Sequence, residues 1–593
     1  MNLAKFISEI KRRNVIRAIL AYLAVAWVIV QIAFVVIDAF TLPDYSKKIV
    51  FYILSIGLVI WVVFSWAYDL TSEGFRKTED ITNKQEVETF NRKRLNTVII
   101  GALSLAVVLL IVLSFWAGSL WNQGLLDKET TKVAVIPFEI ENVDQEEYFK
   151  SGMTDGLIEE LSKTEKLTIL SQASTKLLPA SFSTASMLMT NEMDEIEYFV
   201  TGSLDLKLNR LTIDVQLKEA IEADPIWEKT YSDDLTNVKR LWAGVADDIE
   251  RQMGIVVPGT LKVDRSSIRA INPETYSLYL KGKYNLSKST PSNWLRGMVY
   301  LQEAVDKNPG DTYAWSGLAE GYVMIGHGPN PPLDVFPKAY EAAMRAIQLD
   351  SMNAEGWAAL AHYHTYFGWD WDMAEYAFNR ANELNPNMAY NHYHRAWYLV
   401  LFGRINEALI EHKRAQELDP FTPLHTAWLG EIYRLVGEYE KGLAEVEKVE
   451  HMDDDFALGL LIKGNIQMDQ EKVEEGLKNL KAASKINPDW KYLGYGPALI
   501  RAGKLKEGKA IIEELENKPT TPYGALCLGI MYNQLGDLDK AIECWSYKDK
   551  HGWYPWIRVL MWQKEIIKDP RYLELIREMG LPDPAPFVYE PEK

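Results

Sequence analysis

The sequence predicts a multidomain chain of three transmembrane α-helices, a small α/β domain and an all-α solenoid of helix-pair repeats. Three observations predict it. Three long apolar runs lie before residue 122. A strand–helix–strand order, followed by strands of alternating apolarity, occupies about 132–256. From about Tyr276 onward, the residues that end helices recur at a nearly constant spacing.

The chain has 593 residues, 48% hydrophobic and 25% charged, which fits several globular domains. Its formal charge of −18 is unevenly spread. Residues 1–96 hold 13 Lys and Arg against 9 Asp and Glu, a balance of +4, which leaves −22 on the remainder. A strongly acidic body argues against sequence-nonspecific nucleic-acid binding, which needs cations to displace counterions. It suits a basic or neutral partner. The two cysteines, Cys527 and Cys544, have no metal-ligand spacing and cannot make a disulfide framework. They read as core residues, and the redox compartment stays open.

The apolar runs span about 18–40, 49–68 and 97–121. Each is long enough to cross a hydrocarbon layer about 30 Å thick as a helix. Tyr22, Trp66, Tyr68, Trp116 and Trp121 sit near their edges, as interface anchors do. A cleaved signal peptide is the alternative for the first run, but the run is long and no small-residue cleavage site follows. Residues 1–17 form a basic amphipathic segment suited to anionic headgroups. Cations cluster there and in the second loop (Arg76, Lys77, Lys84, Arg92, Lys93, Arg94), whereas the first hairpin holds only Lys47 and Lys48. The positive-inside rule then puts the N-terminus in the cytoplasm and everything after about residue 122 across the membrane. The lipid bilayer is thus an expected partner.

In the α/β region, Lys132–Phe138 reads as a buried strand ending at Pro137. Residues 146–161 carry Phe149, Met153, Leu157 and Leu161 at helical spacing. Leu167–Leu170 fits a second strand, parallel to the first. Tyr198–Leu204 and Arg210–Lys218 read as a hairpin, with Leu211, Ile213, Val215 and Leu217 on one face. A further strand at 225–231 and a helix at 236–253 close the domain. The Ile-Pro-Phe strand end, the helix with Tyr148, Phe149, Gly152, Thr154, Asp155 and Leu157, and the strand with Tyr198, Gly202 and Ser203 resemble the TolB amino-terminal-like domain of bacteria. Trp227 and Tyr231 continue the resemblance, which covers about 132–256. It implies an extracytoplasmic domain placed before tetratricopeptide repeats. The expected location is therefore the bacterial inner membrane, with residues after about 122 periplasmic. Gly152 and Gly156 lie near a strand–helix junction, but no phosphate-cradling loop or P-loop lysine accompanies them, so they read as packing residues.

The repeat region spans about 276–551. Helix ends fall at Asn308-Pro309, Asp350-Ser351, Asn385-Pro386, Asp419-Pro420, Asp453-Asp454, Asn487-Pro488 and Lys518-Pro519. The second residues of these pairs are 42, 35, 34, 34, 34 and 31 apart. A period of 34 is that of the tetratricopeptide repeat (TPR). Small residues recur in phase on the first helices (Gly282, Ala319, Ala361, Ala396, Gly430, Gly464, Ala498, Gly529). They recur again on the second helices (Gly297, Ala339, Ala374, Ala408, Gly442, Gly476, Gly508, Ala541). Turn glycines are expected at 326, 368, 403, 437, 503 and 536. Eight repeats result, with an insertion at 328–336 read as a surface loop. Residues 552–593 are expected to supply a capping helix over the last apolar face and a loose Pro-rich tail.

First helices line the concave groove of such a solenoid. His362, Tyr390, Tyr393, Trp397, Glu431 and Arg434 are the candidate partner-binding residues, because aromatics and Arg dominate interfaces. Packing between repeats is the other reading of Tyr390 and Trp397. His362/His364 and His392/His394, with Asp370 and Asp372, invite a metal. Residues two apart on a helix face different ways, so neither His pair is arranged to chelate and no metal is expected. Trp369 and Trp371 are expected to wedge between helices. No H-E-x-x-H, G-x-S-x-G or Walker lysine motif occurs, so no catalytic residue and no cofactor is expected. The function expected is a non-enzymatic, membrane-anchored scaffold or sensor that binds a protein or peptide segment, with a second copy of the chain as a further candidate partner. The alternatives are a transducer acting through the membrane helices on a separate cytoplasmic effector, and an enzyme subunit.

Overall fold

A computed structural model describes single residues between 22 and 58, then residues 68–71, 74–77, 130–140, 147–176, 196–220, 224–255, 268–288, 290–327, 333–547, 554–560, 566–585 and 587. The chain divides into two compact units, residues 1–127 with 592–593, and residues 128–591.

In the first unit the fold class expected above is corrected. Among the described residues no helix is long and apolar enough to cross a membrane. A span needs about 20 continuous helical residues, and apolar composition alone does not supply them. Of the runs at 18–40, 49–68 and 97–121, all but a few residues lie outside the described ones. Among those few, the Tyr22 hydroxyl donates to the Leu54 carbonyl oxygen at 2.8 Å. Tyr68 begins a strand, β1 (Tyr68–Thr71), paired antiparallel with β2 (Gly74–Lys77). Arg76 and Lys77 therefore lie in a hairpin strand, where a loop was expected.

The second unit opens on a sheet of β3 (Thr131–Val135), β4 (Glu139–Ile140), β5 (Leu167–Ile169), β6 (Tyr198–Lys207), β7 (Arg210–Glu219) and β8 (Trp227–Asp234). Its order is β5-β3-β6-β7-β8, with β4 also pairing β6. β3 is parallel to β5 and β6, as a helical crossover requires, whereas β6, β7 and β8 run antiparallel. Leu208 and Asn209 turn the β6–β7 hairpin with φ of 46° and 69°, the double left-handed conformation that matches strand twist in a two-residue loop. Helices Glu147–Leu161 and Val238–Gln252 cover one face, burying Met153, Leu157 and Trp242. Gly156 lets the first approach the Trp242 indole, and Gly152 lets it approach Leu280 of the first repeat.

Eight helical hairpins follow among the described residues. They are Pro273–Leu286 with Pro291–Lys307, Thr312–Gly326 with Val335–Leu349, Ala354–Tyr363 with Trp371–Leu384, and Ala389–Leu401 with Ile405–Leu418. Next come Pro423–Leu435 with Tyr439–Met452, Ala457–Asp469 with Val473–Ile486, Gly496–Arg501 (entered by a π turn, Lys491–Tyr495) with Leu505–Glu516, and Pro522–Gln534 with Leu538–Trp545. Asn272, Asp311, Asn353 and Thr521 begin first helices by accepting hydrogen bonds from main-chain N–H groups of the first turn. Asn308, Asp350, Asn385, Asp419, Asp453 and Asn487 each follow the last residue of a second helix. Within a hairpin the small residues meet. A Cβ on Gly464 would lie 2.9 Å from the Gly476 carbonyl oxygen, and one on Gly476 equally close to that of Gly464.

Two expectations about the turns are corrected. Gly403, Gly437, Gly503 and Gly536 have φ between 75° and 83°, but Gly326 and Gly368 are not left-handed. In the third repeat a π turn, His364–Gly368, absorbs the extra residue and Trp369 takes φ 51°. In the sixth, Glu471 takes φ 62°. Of the insertion, residues 328–332 lie outside the described ones, and Val335 already starts a helix. Most of residues 171–190 also lies outside them; the described part, residues 171–176, holds a short helix, Gln172–Thr175.

The α/β domain docks on the repeats through β5 and the segments on either side of it. Arg414 Nη1 donates to Thr168 Oγ1 at 2.8 Å and Asn387 Nδ2 donates to the Ser162 carbonyl oxygen at 3.0 Å. Asp419 Oδ1 accepts from Ser171 Oγ and Ser174 Oγ at 2.5 and 2.7 Å. Residues after the eighth repeat do more than cap it. Tyr572 packs on Trp545, their ring centroids 6.0 Å apart, but Trp556 reaches back to Trp397 at 5.2 Å and Tyr554 stacks on Trp369 at 6.1 Å.

Candidate functional site: the concave cavity

The first helices of all eight repeats face one cavity of about 2300 Å³. Asp155, Glu159 and Lys239 of the α/β domain and Trp556 and Val559 of the C-terminal segment also line it. Drug-sized ligands occupy about 300–1,000 Å³, so this space suits a larger occupant. Carboxylates outnumber Lys and Arg among its lining residues by 17 to 8.

Five of the six candidate residues line the cavity: Tyr390, Tyr393, Trp397, Glu431 and Arg434. His362 lies behind the wall, fully buried. Tyr393 and Trp397 are 9% and 7% exposed, because neighbouring rings cover them. Trp397 meets Trp428 and Trp556 edge-on at 4.9 and 5.2 Å. Tyr393 tilts onto His412 and His425. Glu431 and Arg434 bind each other, through Nε to Oε2 at 2.8 Å and Nη2 to Oε1 at 2.7 Å. Arg434 Nη1 also donates to Asp469 at 2.5 Å, and Arg501 reaches the other oxygen of that carboxylate at 2.6 Å. Such a chain satisfies its own charges, so these side chains shape the wall more than they await a partner.

Two further ion clusters escaped the sequence reading. Lys283 binds Glu320, and Glu355 at 3.1 Å. Burial pushes the Lys283 ammonium down, but the two carboxylates outweigh it and hold the group above the usual lysine range. Lys239 binds Glu159 at 2.5 Å beneath Tyr313, whose ring lies 4.2 Å from the ammonium. Lys283 lies 37 and 72 residues from its two carboxylates, and Lys239 lies 80 residues from Glu159, so no local spacing marks them.

The histidine pairs split as helix geometry requires. His392 turns away to Glu411 at 2.6 Å and the Pro386 carbonyl oxygen at 2.9 Å. His364 packs against Tyr340 and Tyr363. His362 and His394 turn inward to each other, ring centroids 4.1 Å apart, and meet His327 from the preceding repeat. Asp370 caps the next helix by accepting from Met373 N at 3.1 Å. Trp371 donates its indole N–H to the Met579 carbonyl oxygen.

No protein-family model matches the chain. The helical array is a tetratricopeptide-repeat fold. Among curated proteins, the chain is 28% identical over 166 residues to the transcriptional regulator HilA of Salmonella typhimurium, covering 28% of this chain and 30% of HilA. It is 29% identical over 93 residues to the TPR repeat-containing protein MJ0940 of Methanocaldococcus jannaschii, 15% of this chain and 29% of that one. The chain thus spans under a third of the length of these relatives. Among solved structures, the anaphase-promoting-complex hetero-tetramer Cut9–Hcn1 aligns over 58% of this chain and 63% of its own, at 11% identity and a TM-score of 0.36.

Proposed function

We propose that this chain is a non-enzymatic scaffold that holds a basic segment of a partner protein in the concave cavity. The cavity's size and acidic lining carry the reading. A volume above the small-ligand range calls for an extended segment, and the excess of carboxylates favours Lys- and Arg-rich sequence while repelling nucleic-acid phosphates. Half-exposed apolar side chains on the wall, among them Leu424 and Trp428, offer contact area beside the charges.

Panning a displayed peptide library on the full-length chain tests this. Basic peptides are expected to be enriched, and Leu424→Lys, which puts a cation on the exposed part of the wall, should weaken their binding without changing the unfolding midpoint. Enrichment without charge bias, or peptides that bind the Leu424→Lys variant equally well, would refute it.

A further inference from the structure

The geometry points to a metal site: His327, His362 and His394 together bind a divalent ion of the Zn²⁺ class, with the remaining coordination position facing the cavity. One ring nitrogen of each lies within 4.8 Å of those of the other two. The three come from the first helices of repeats 2, 3 and 4, or from the end of one. His327 Nε2 and His362 Nε2 face each other within hydrogen-bonding distance.

The surroundings orient the rings as metal ligands are oriented. The Tyr390 hydroxyl lies 2.9 Å from His362 Nδ1, and the Tyr366 hydroxyl 3.3 Å from His394 Nδ1. An imidazole whose Nδ1–H is accepted by such a group presents its Nε2 lone pair to the opposite side. His362 also stacks on Tyr390 with the ring planes 5° apart, which fixes its rotation. Neutral imidazoles suit Zn²⁺, Co²⁺, Ni²⁺ or Cu²⁺, whereas Mg²⁺ and Ca²⁺ take oxygen. Tetrahedral Zn–N bonds of about 2.0–2.1 Å put ligand nitrogens about 3.3 Å apart, so no gap among nitrogens that lie within 4.8 Å of one another need close by more than about 1.5 Å. His327, half-buried at the end of its helix, has more room to adjust than the buried His362 and His394. His327, His394 and Tyr366 line the cavity and His362 does not, which opens the ion toward the cavity.

The test is Co²⁺ titration of the chelator-treated full-length chain, read by the visible absorption of tetrahedral Co²⁺ and by metal content. One equivalent is expected, displaced by Zn²⁺. Tyr390→Phe, which keeps the packing, should weaken affinity about 10- to 100-fold. His327→Ala removes a ring from a helix end and should lose the equivalent with unchanged circular dichroism. His451→Ala, at an exposed site in the fifth repeat, should bind as the parent does. Absence of the tetrahedral spectrum in the parent chain would overturn the proposal, as would parent-like binding by both His327→Ala and His394→Gln.

Discussion

Trp371 donates its indole N–H to the main-chain oxygen of Met579 at 2.7 Å, joining residues 208 positions apart. With the Trp556–Trp397 and Tyr554–Trp369 contacts, this brings the C-terminal segment back to the third and fourth repeats. An open groove thereby becomes a cavity with a closed side.

Trp556 is 4% exposed and should behave as the bolt of this closure. Trp556→Ala should cost about 3–5 kcal/mol and raise amide exchange in the Ala389–Leu401 helix. Its indole N–H is buried with no partner among the described residues, so Trp556→Phe should cost less than half as much. Urea unfolding of the two variants checks the order.

Arg434 sits between two carboxylates, one of them the buried Glu431. Arg434→Met leaves that carboxylate unpaired and should cost about 3–5 kcal/mol. Adding Glu431→Leu should recover part of the loss, because the unpaired charge goes with it. A double-mutant cycle by chemical denaturation measures both.

His412 is buried, and burial together with nearby His425 pushes its imidazole down to about 3. The unfolded chain binds a proton below about pH 6.5, the folded chain only near 3, so stability is present above 6.5 and falls as pH drops through that window. At pH 5.5 the loss from this one group should be about 1.4 kcal/mol. His412→Gln keeps a donor for the His425 carbonyl oxygen, which accepts at 3.0 Å, and should show a shallower acid loss. Unfolding midpoints at pH 7.5 and 5.5 decide it.

Gly464 and Gly476 set the distance between the two helices of the sixth repeat. Gly464→Ala should force them apart at about 1–3 kcal/mol, whereas Gly437→Ala, at φ 83° with open space around it, meets only backbone strain of about 1–2 kcal/mol. Both should lower the melting temperature. Only the first should loosen amide protection across a whole hairpin.

The contrast between these glycines shows what was readable in advance. The small-residue pairs and the Asn or Asp that follows the second helix in the first six repeats recur in phase, so their roles were visible along the chain. Gly326 and Gly368 misled. The insertion and the extra residue in the third repeat shifted the turns locally, and Trp369 took the left-handed position. Trp397 and Tyr393 read as open groove residues, because nothing near them in the sequence announces Trp556 or His425. His362 and His394 were noticed, but His327 was not, since each of the three occupies a different phase of its repeat.

Short-range chemistry therefore placed the helix pairs, the succession of strands and helices along the small domain and the acidity of the body, because capping, periodicity and charge act within a few residues. The cavity wall, the docking of β5 and the segments on either side of it on Asn387, Arg414 and Asp419, the three-histidine cluster and the return of the C-terminal segment arose only in three dimensions. Each joins residues tens to hundreds of positions apart, and such contacts form when packing of one buried core brings those surfaces together.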